Sequence, residues 1–111
     1  MTLNEYQRLA QRTSRHDLAP DSHITNGVLG LAGEAGECAD LLKKHYYQDN
    51  RPFRDDLIDE LGDVLWYVAE TAAGLGVKLE DIAQHNVEKL KKRYPEGFDP
   101  EKSLHREEDN G

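Results

Sequence analysis

Apolar residues recur every three or four positions through most of this chain, and no stretch reads as a strand. That period predicts four helices. The first spans about 3–15, with Leu3, Tyr6, Leu9 and Ala10 on one face. Pro20 ends the link that follows, and Asp21 or Ser22 can cap a second helix running to about Tyr47. Its apolar set includes Ile24, Val28, Leu31, Ala35, Cys38, Ala39 and Leu42. A polar turn at 48–52, with Asn50 and Pro52, leads into a third helix over about 54–75. Leu57, Ile58, Leu61, Val64, Leu65, Val68, Ala69 and Ala72 give that helix a wide apolar face. One neighbour in a small monomer cannot cover it, so burial against a second subunit is expected. Gly74 and Gly76 end it. The fourth helix covers about 79–93, with Ile82, Ala83, Val87 and Leu90 facing inward, and Pro95 and Gly97 close the fold.

The second helix carries Gly27, Gly30, Gly33 and Gly36. Each glycine costs roughly 0.8–1 kcal/mol against Ala inside a helix. Either they permit close approach of another helix or a ligand, or the helix breaks near Gly27. A short connection makes helices two and three antiparallel neighbours. The expected fold is all-α: a four-helix-type bundle with two long antiparallel central helices, oligomeric. Residues 1–98 form its one domain, and 99–111 a short, charged, mobile tail.

Composition narrows the chemistry. The 22 acidic and 14 basic residues give a formal charge of −8, which argues against a nucleic-acid or anionic-membrane surface. The single Cys38 excludes an intrachain disulfide and a Cys-rich zinc site. No apolar run reaches membrane-span length and no signal-peptide core opens the chain, so a cytoplasmic protein is expected.

Two acidic pairs stand out: Glu34/Glu37 in GLAGEAGECADLLKK and Glu60/Asp63 in DDLIDELGDVLWYV. A spacing of three puts each pair on one helix face. Either pair alone reads as a solvated polar face. Together, at similar distances from the turn, they converge across an antiparallel helix pair. Four carboxylates there would repel one another, and a hard divalent cation such as Mg²⁺, or Mn²⁺ in its place, removes the conflict. Asp40, Asp56 and Asp59 are nearby extras. Asn86, Lys89 and Arg93 share one face of the fourth helix, as phosphate and nucleoside contacts or as a solvated basic face. Lys43 sits where a cation suits a helix C-terminus. Trp66 and Tyr67 either stack on a base or pack. The five His are isolated, with no Glu-x-x-His of a di-iron bundle.

These segments, with HNVEKLKKRYPEGF, resemble the MazG-like all-α nucleoside triphosphate pyrophosphohydrolases over about 6–98. The family pattern often opens with two consecutive Glu; here Gly33 precedes Glu34, which bears on the number of metal ions. The resemblance implies cleavage of a nucleoside triphosphate between its α- and β-phosphates. It implies Glu34, Glu37, Glu60 and Asp63 as the catalytic Mg²⁺ ligands. Asn86, Lys89, Arg93, Lys43 and Trp66 stand as substrate-binding candidates. A homodimer or dimer of dimers is implied as well. A narrower dUTP- or dCTP-selective hydrolase and a non-catalytic helical oligomer binding a cation or partner are the alternatives.

Overall fold

Thr2 caps the first helix, α1 (Leu3–Gln11), through a reciprocal pair of bonds. Its hydroxyl accepts from the Glu5 N–H at 3.0 Å, and Glu5 Oε1 accepts from the Thr2 N–H at 3.3 Å, which satisfies two otherwise orphaned amides. In this computed structural model, residues 1–104 are described. After α1 come α2 (Pro20–Lys44), a π-helical turn (His45–Asp49), α3 (Arg54–Gly74), α4 (Leu79–Arg93) and α5 (Pro100–Leu104). The described residues contain no strand, only an isolated bridge between Pro95 and Gly97. The all-α expectation holds. The chain divides into two compact units, Met1–Leu79 and the segment from Glu80 onward.

α1 stops at Gln11, short of the expected 15. The cause lies in the side chains that follow. The Thr13 hydroxyl donates to the Ala10 carbonyl at 2.8 Å. The N–H groups of Arg12, Thr13 and Ser14 reach only three residues back, which tightens the last turn. α2 starts at Pro20 with Ala19 before it, so neither Asp21 nor Ser22 caps it. Proline's fixed φ suits the first helical position, and Asp21 meets the positive end of the helix in its first turn. After the π-helical turn, Asn50 takes a left-handed conformation, φ 56°.

α2 runs unbroken through its glycines, and two of them explain why. A Cβ at Gly27 would lie 2.0 Å from Thr71 Oγ1 and 2.9 Å from the Thr71 backbone nitrogen. One at Gly30 would lie 2.1 Å from the Tyr67 ring. Gly74 of α3 likewise leaves room for Ile24 and His23. The helices meet closer than any side chain allows, and that packing offsets the propensity cost. Among the described residues nothing lies within 4 Å of a Cβ at Gly33 or Gly36, so close approach accounts for only half of α2's glycines.

In the first unit Ala10, Ala69 and Leu79 form a buried cluster, with Tyr6, Trp66 and Val68 packed around it. The Gln7 side chain ties α1 to the link after α3, donating to Val77 O at 3.0 Å and accepting from Leu79 N–H at 2.8 Å. Ile58 and Leu61, on the wide apolar face of α3, remain 51% and 52% exposed. In the second unit the inward-facing expectation for α4 fails. Ile82, Val87 and Leu90 are exposed, and only Ala83 is half-buried. The rest of that unit is a loop and a five-residue helix among the described residues, too little to cover the stripe. The expected tail from 99 begins with α5; its remainder, 105–111, lies outside the described residues.

Candidate metal centre

The close packing of α2 on α3 places the first set of acids. Glu34 lies one turn beyond Gly30, and Asp63 one turn before Tyr67, the ring that Gly30 admits. Glu60 is a further turn back on the same face. Carboxylate oxygens of Glu34, Glu60 and Asp63 all lie within 4.8 Å of one another. Glu34 and Glu60 are half-buried and Asp63 is exposed. Glu60 Oε2 is buried and meets no donor among the described residues. The Glu60 carboxyl is pushed up to about 7. The Glu34 carboxylate against it comes first, because a shared proton is the only bond two acceptors can make; burial follows, then the charges of Glu34, Asp63 and Asp59.

An orphaned buried oxygen among three converging carboxylates fits a cation. The donor set is all oxygen, which suits hard divalent ions. Beside it a cleft of about 320 Å³ is lined by Glu34, Asp63, Trp66 and Tyr67.

Glu37 stands outside this group and is exposed. The seam with α3 runs through Gly27, Gly30 and Glu34 to the half-buried Cys38, and Glu37 sits to one side of it. Asp40 pairs with Lys44 at 2.7 Å, which holds its carboxyl below the usual range. Asp56 and Asp59 are exposed, as is Lys43. Trp66 is half-buried, and its indole N–H donates to Thr13 Oγ1 at 2.8 Å and Ala10 O at 3.1 Å. The ring thus packs against α1 while also lining the cleft. Asn86, Lys89 and Arg93 all fall on α4, in the second unit, where Arg93 lies 5.9 Å from the Tyr94 ring centre.

Glu70 had no part in the sequence reading, yet among the described residues it is the largest fully buried side chain, 1% exposed. Its Oε1 accepts from Ser14 Oγ at 2.7 Å and Gln11 Nε2 at 3.2 Å. Its Oε2 faces Asn26 Nδ2 and His23 Nδ1, each at 3.2 Å. The sequence signal was its place: seven residues after Asp63, three after Tyr67, between the buried Ala69 and Ala72. Burial raises the carboxyl pKa, but the bonds from Ser14, His23, Gln11 and Asn26 together outweigh it and hold the group below 4.5. A lowered folded-state pKa stabilises above the unfolded value, and that stability is lost as pH falls through the folded one. The melting-temperature advantage of wild type over Glu70→Gln therefore shrinks as pH falls through and below the ordinary carboxylate range. A difference independent of pH would show that the charge contributes nothing.

A helical protein with three carboxylates converging beside an aromatic-lined cleft defines a class: a helical scaffold built around an acidic, cation-fitting centre. The comparisons give that class a family. Residues 23–98 match the MazG nucleotide pyrophosphohydrolase domain, and the chain belongs to that family. It is similar to the Gene 37 protein of Mycobacterium phage L5, 39% identical over 105 residues, which cover 87% of this chain and 92% of that protein. It is also similar to the uncharacterized protein YvdC of Bacillus subtilis (strain 168), 36% identical over 73 residues, covering 58% and 69% respectively. No solved structure matches the chain. No helix among the described residues is long and apolar enough to cross a membrane.

Proposed function

We propose that residues 1–98 form a Mg²⁺-dependent nucleoside triphosphate pyrophosphohydrolase of the cytoplasm, releasing a nucleoside monophosphate and pyrophosphate. The buried Glu60 Oε2, without a donor among three converging carboxylates, is the observation that carries this reading. Glu34, Glu60 and Asp63 hold the cation, with Glu37 as the fourth acid of the set. Mg²⁺ or Mn²⁺ there supplies charge neutralisation and orientation for the triphosphate and eases deprotonation of water. A carboxylate not fully committed to the ion takes the proton of the attacking water. The water oxygen bonds to phosphorus as the α–β bridging P–O bond breaks, and the bridging oxygen leaves with pyrophosphate. Lys43 contacts the substrate and Trp66 contributes a wall of the cleft, and Asn86, Lys89 and Arg93 are the substrate-binding candidates that α4 offers.

The pairings of Gly27 with Thr71 and of Gly74 with Ile24 support an antiparallel central hairpin of α2 and α3. The exposed Ile58 and Leu61, with Leu29 on α2 at 68%, support assembly into a homodimer or dimer of dimers. The test is a panel of ribo- and deoxyribonucleoside triphosphates, read by pyrophosphate release. Hydrolysis with Mg²⁺, retained with Mn²⁺ and abolished by exhaustive chelation, is the expected result. Activity that survives chelation, or no hydrolysis of any nucleotide, overturns the reading.

A further inference from the structure

Glu70 poses a problem that the proposed reaction does not solve. A fully buried carboxylate is a poor stabilising device, because desolvation consumes much of what its bonds return. Well-packed apolar groups often do as well. What such a group gives instead is one defined arrangement of the donors around it.

Those donors trace a path to the cleft. Gln11 and Ser14, both bonded to Glu70 Oε1, bracket Thr13. Thr13 Oγ1 and the Ala10 carbonyl receive the Trp66 indole N–H. Trp66 in turn lines the cleft with Tyr67, Glu34 and Asp63. From the other side, Asn26 and His23 of α2 meet Glu70 Oε2. One carboxylate on α3 thus anchors α1, the connection after it and the start of α2. The 10–14 segment holds the indole, and the indole forms the cleft wall.

We propose that Glu70 is a positioning residue: by fixing the 10–14 segment it fixes the Trp66 wall against which the nucleoside part of the substrate rests. It sets affinity and base preference without touching the reacting atoms. This inference rests on the nucleotide-hydrolysis reading.

Glu70→Gln tests it, with kinetics on the preferred nucleotide and on its competitors. Because the chain has one Trp, intrinsic fluorescence reports the indole directly. The expected result is a folded protein whose KM rises about tenfold while kcat changes less than about threefold. The spread of kcat/KM among bases narrows, and Trp66 emission shifts to longer wavelength. Unchanged KM and base preference in a folded Glu70→Gln protein overturn the proposal and leave Glu70 a structural group. A fall in kcat at constant KM overturns it too, by placing Glu70 in the chemical step. Ser14→Ala removes one of the four bonds and tests the idea where Glu70→Gln does not fold. Its KM should rise about threefold in the same direction, and an unchanged KM overturns the proposal. Wild-type protein that hydrolyses no nucleotide defeats the hydrolase reading itself; active wild type with an unaffected variant defeats only the role of Glu70.

Discussion

Replacing Glu60 by Gln lowers pyrophosphate release at saturating nucleotide by about 100-fold or more, while the metal-free protein melts no lower than wild type. The two effects have one origin. Glu60 Oε2 is buried without a donor, and the Glu34 and Asp63 carboxylates lie within 4.8 Å. An amide in its place keeps the shape and gives Glu34 an N–H to accept, which removes the repulsion between acceptors. The same change takes one charge from the cation seat. Steady-state kinetics and thermal melts with and without Mg²⁺ read both quantities, and the stabilisation by Mg²⁺ should shrink along with turnover. A solvated polar face predicts no change in either.

Gly27→Ala and Gly33→Ala should move stability in opposite directions. Both lie inside α2, where Ala is the better helix former by about 0.8–1 kcal/mol. At Gly27 the new methyl meets the Thr71 hydroxyl and backbone nitrogen at 2.0 and 2.9 Å, so backbone must shift. Overpacking of that kind typically costs about 1–3 kcal/mol, enough to outweigh the propensity gain. At Gly33 nothing lies within 4 Å, and the gain of roughly 0.5–1 kcal/mol remains. Denaturant titration of the two variants checks the pair. Equal stabilisation by both contradicts the close seam between α2 and α3. A loss at Gly33 shows that another molecule packs on that open face.

The long helices were legible because their apolar periods are regular: the expected bounds of α3 and α4 differ from the observed ones by at most a residue or so. The convergence of Glu34 with Glu60 and Asp63 was legible because the connection is short and both pairs lie at similar distances from it. Glu37 was harder. A spacing of three places it beside Glu34, but it does not say which member of a pair falls on the seam. Cys38, half-buried where Glu37 is exposed, marks the seam's course. The end of α1 and the role of Glu70 share one reason for escaping notice. Thr13 and Ser14 look like ordinary helix-surface residues until Trp66 and Glu70, more than fifty positions away, bond to them. No local pattern carries that information. Local periodicity also overstated the burial of α4, because a stripe of apolar residues says nothing about whether its own unit can cover it.

The most direct test of the account is a phosphorus NMR analysis of the products formed from the preferred nucleoside triphosphate with Mg²⁺, by wild type and Glu60→Gln side by side. The account predicts nucleoside monophosphate and pyrophosphate in equal amounts from wild type, and almost none from Glu60→Gln over the same time. Nucleoside diphosphate with inorganic phosphate, or equal pyrophosphate from both proteins, would contradict it.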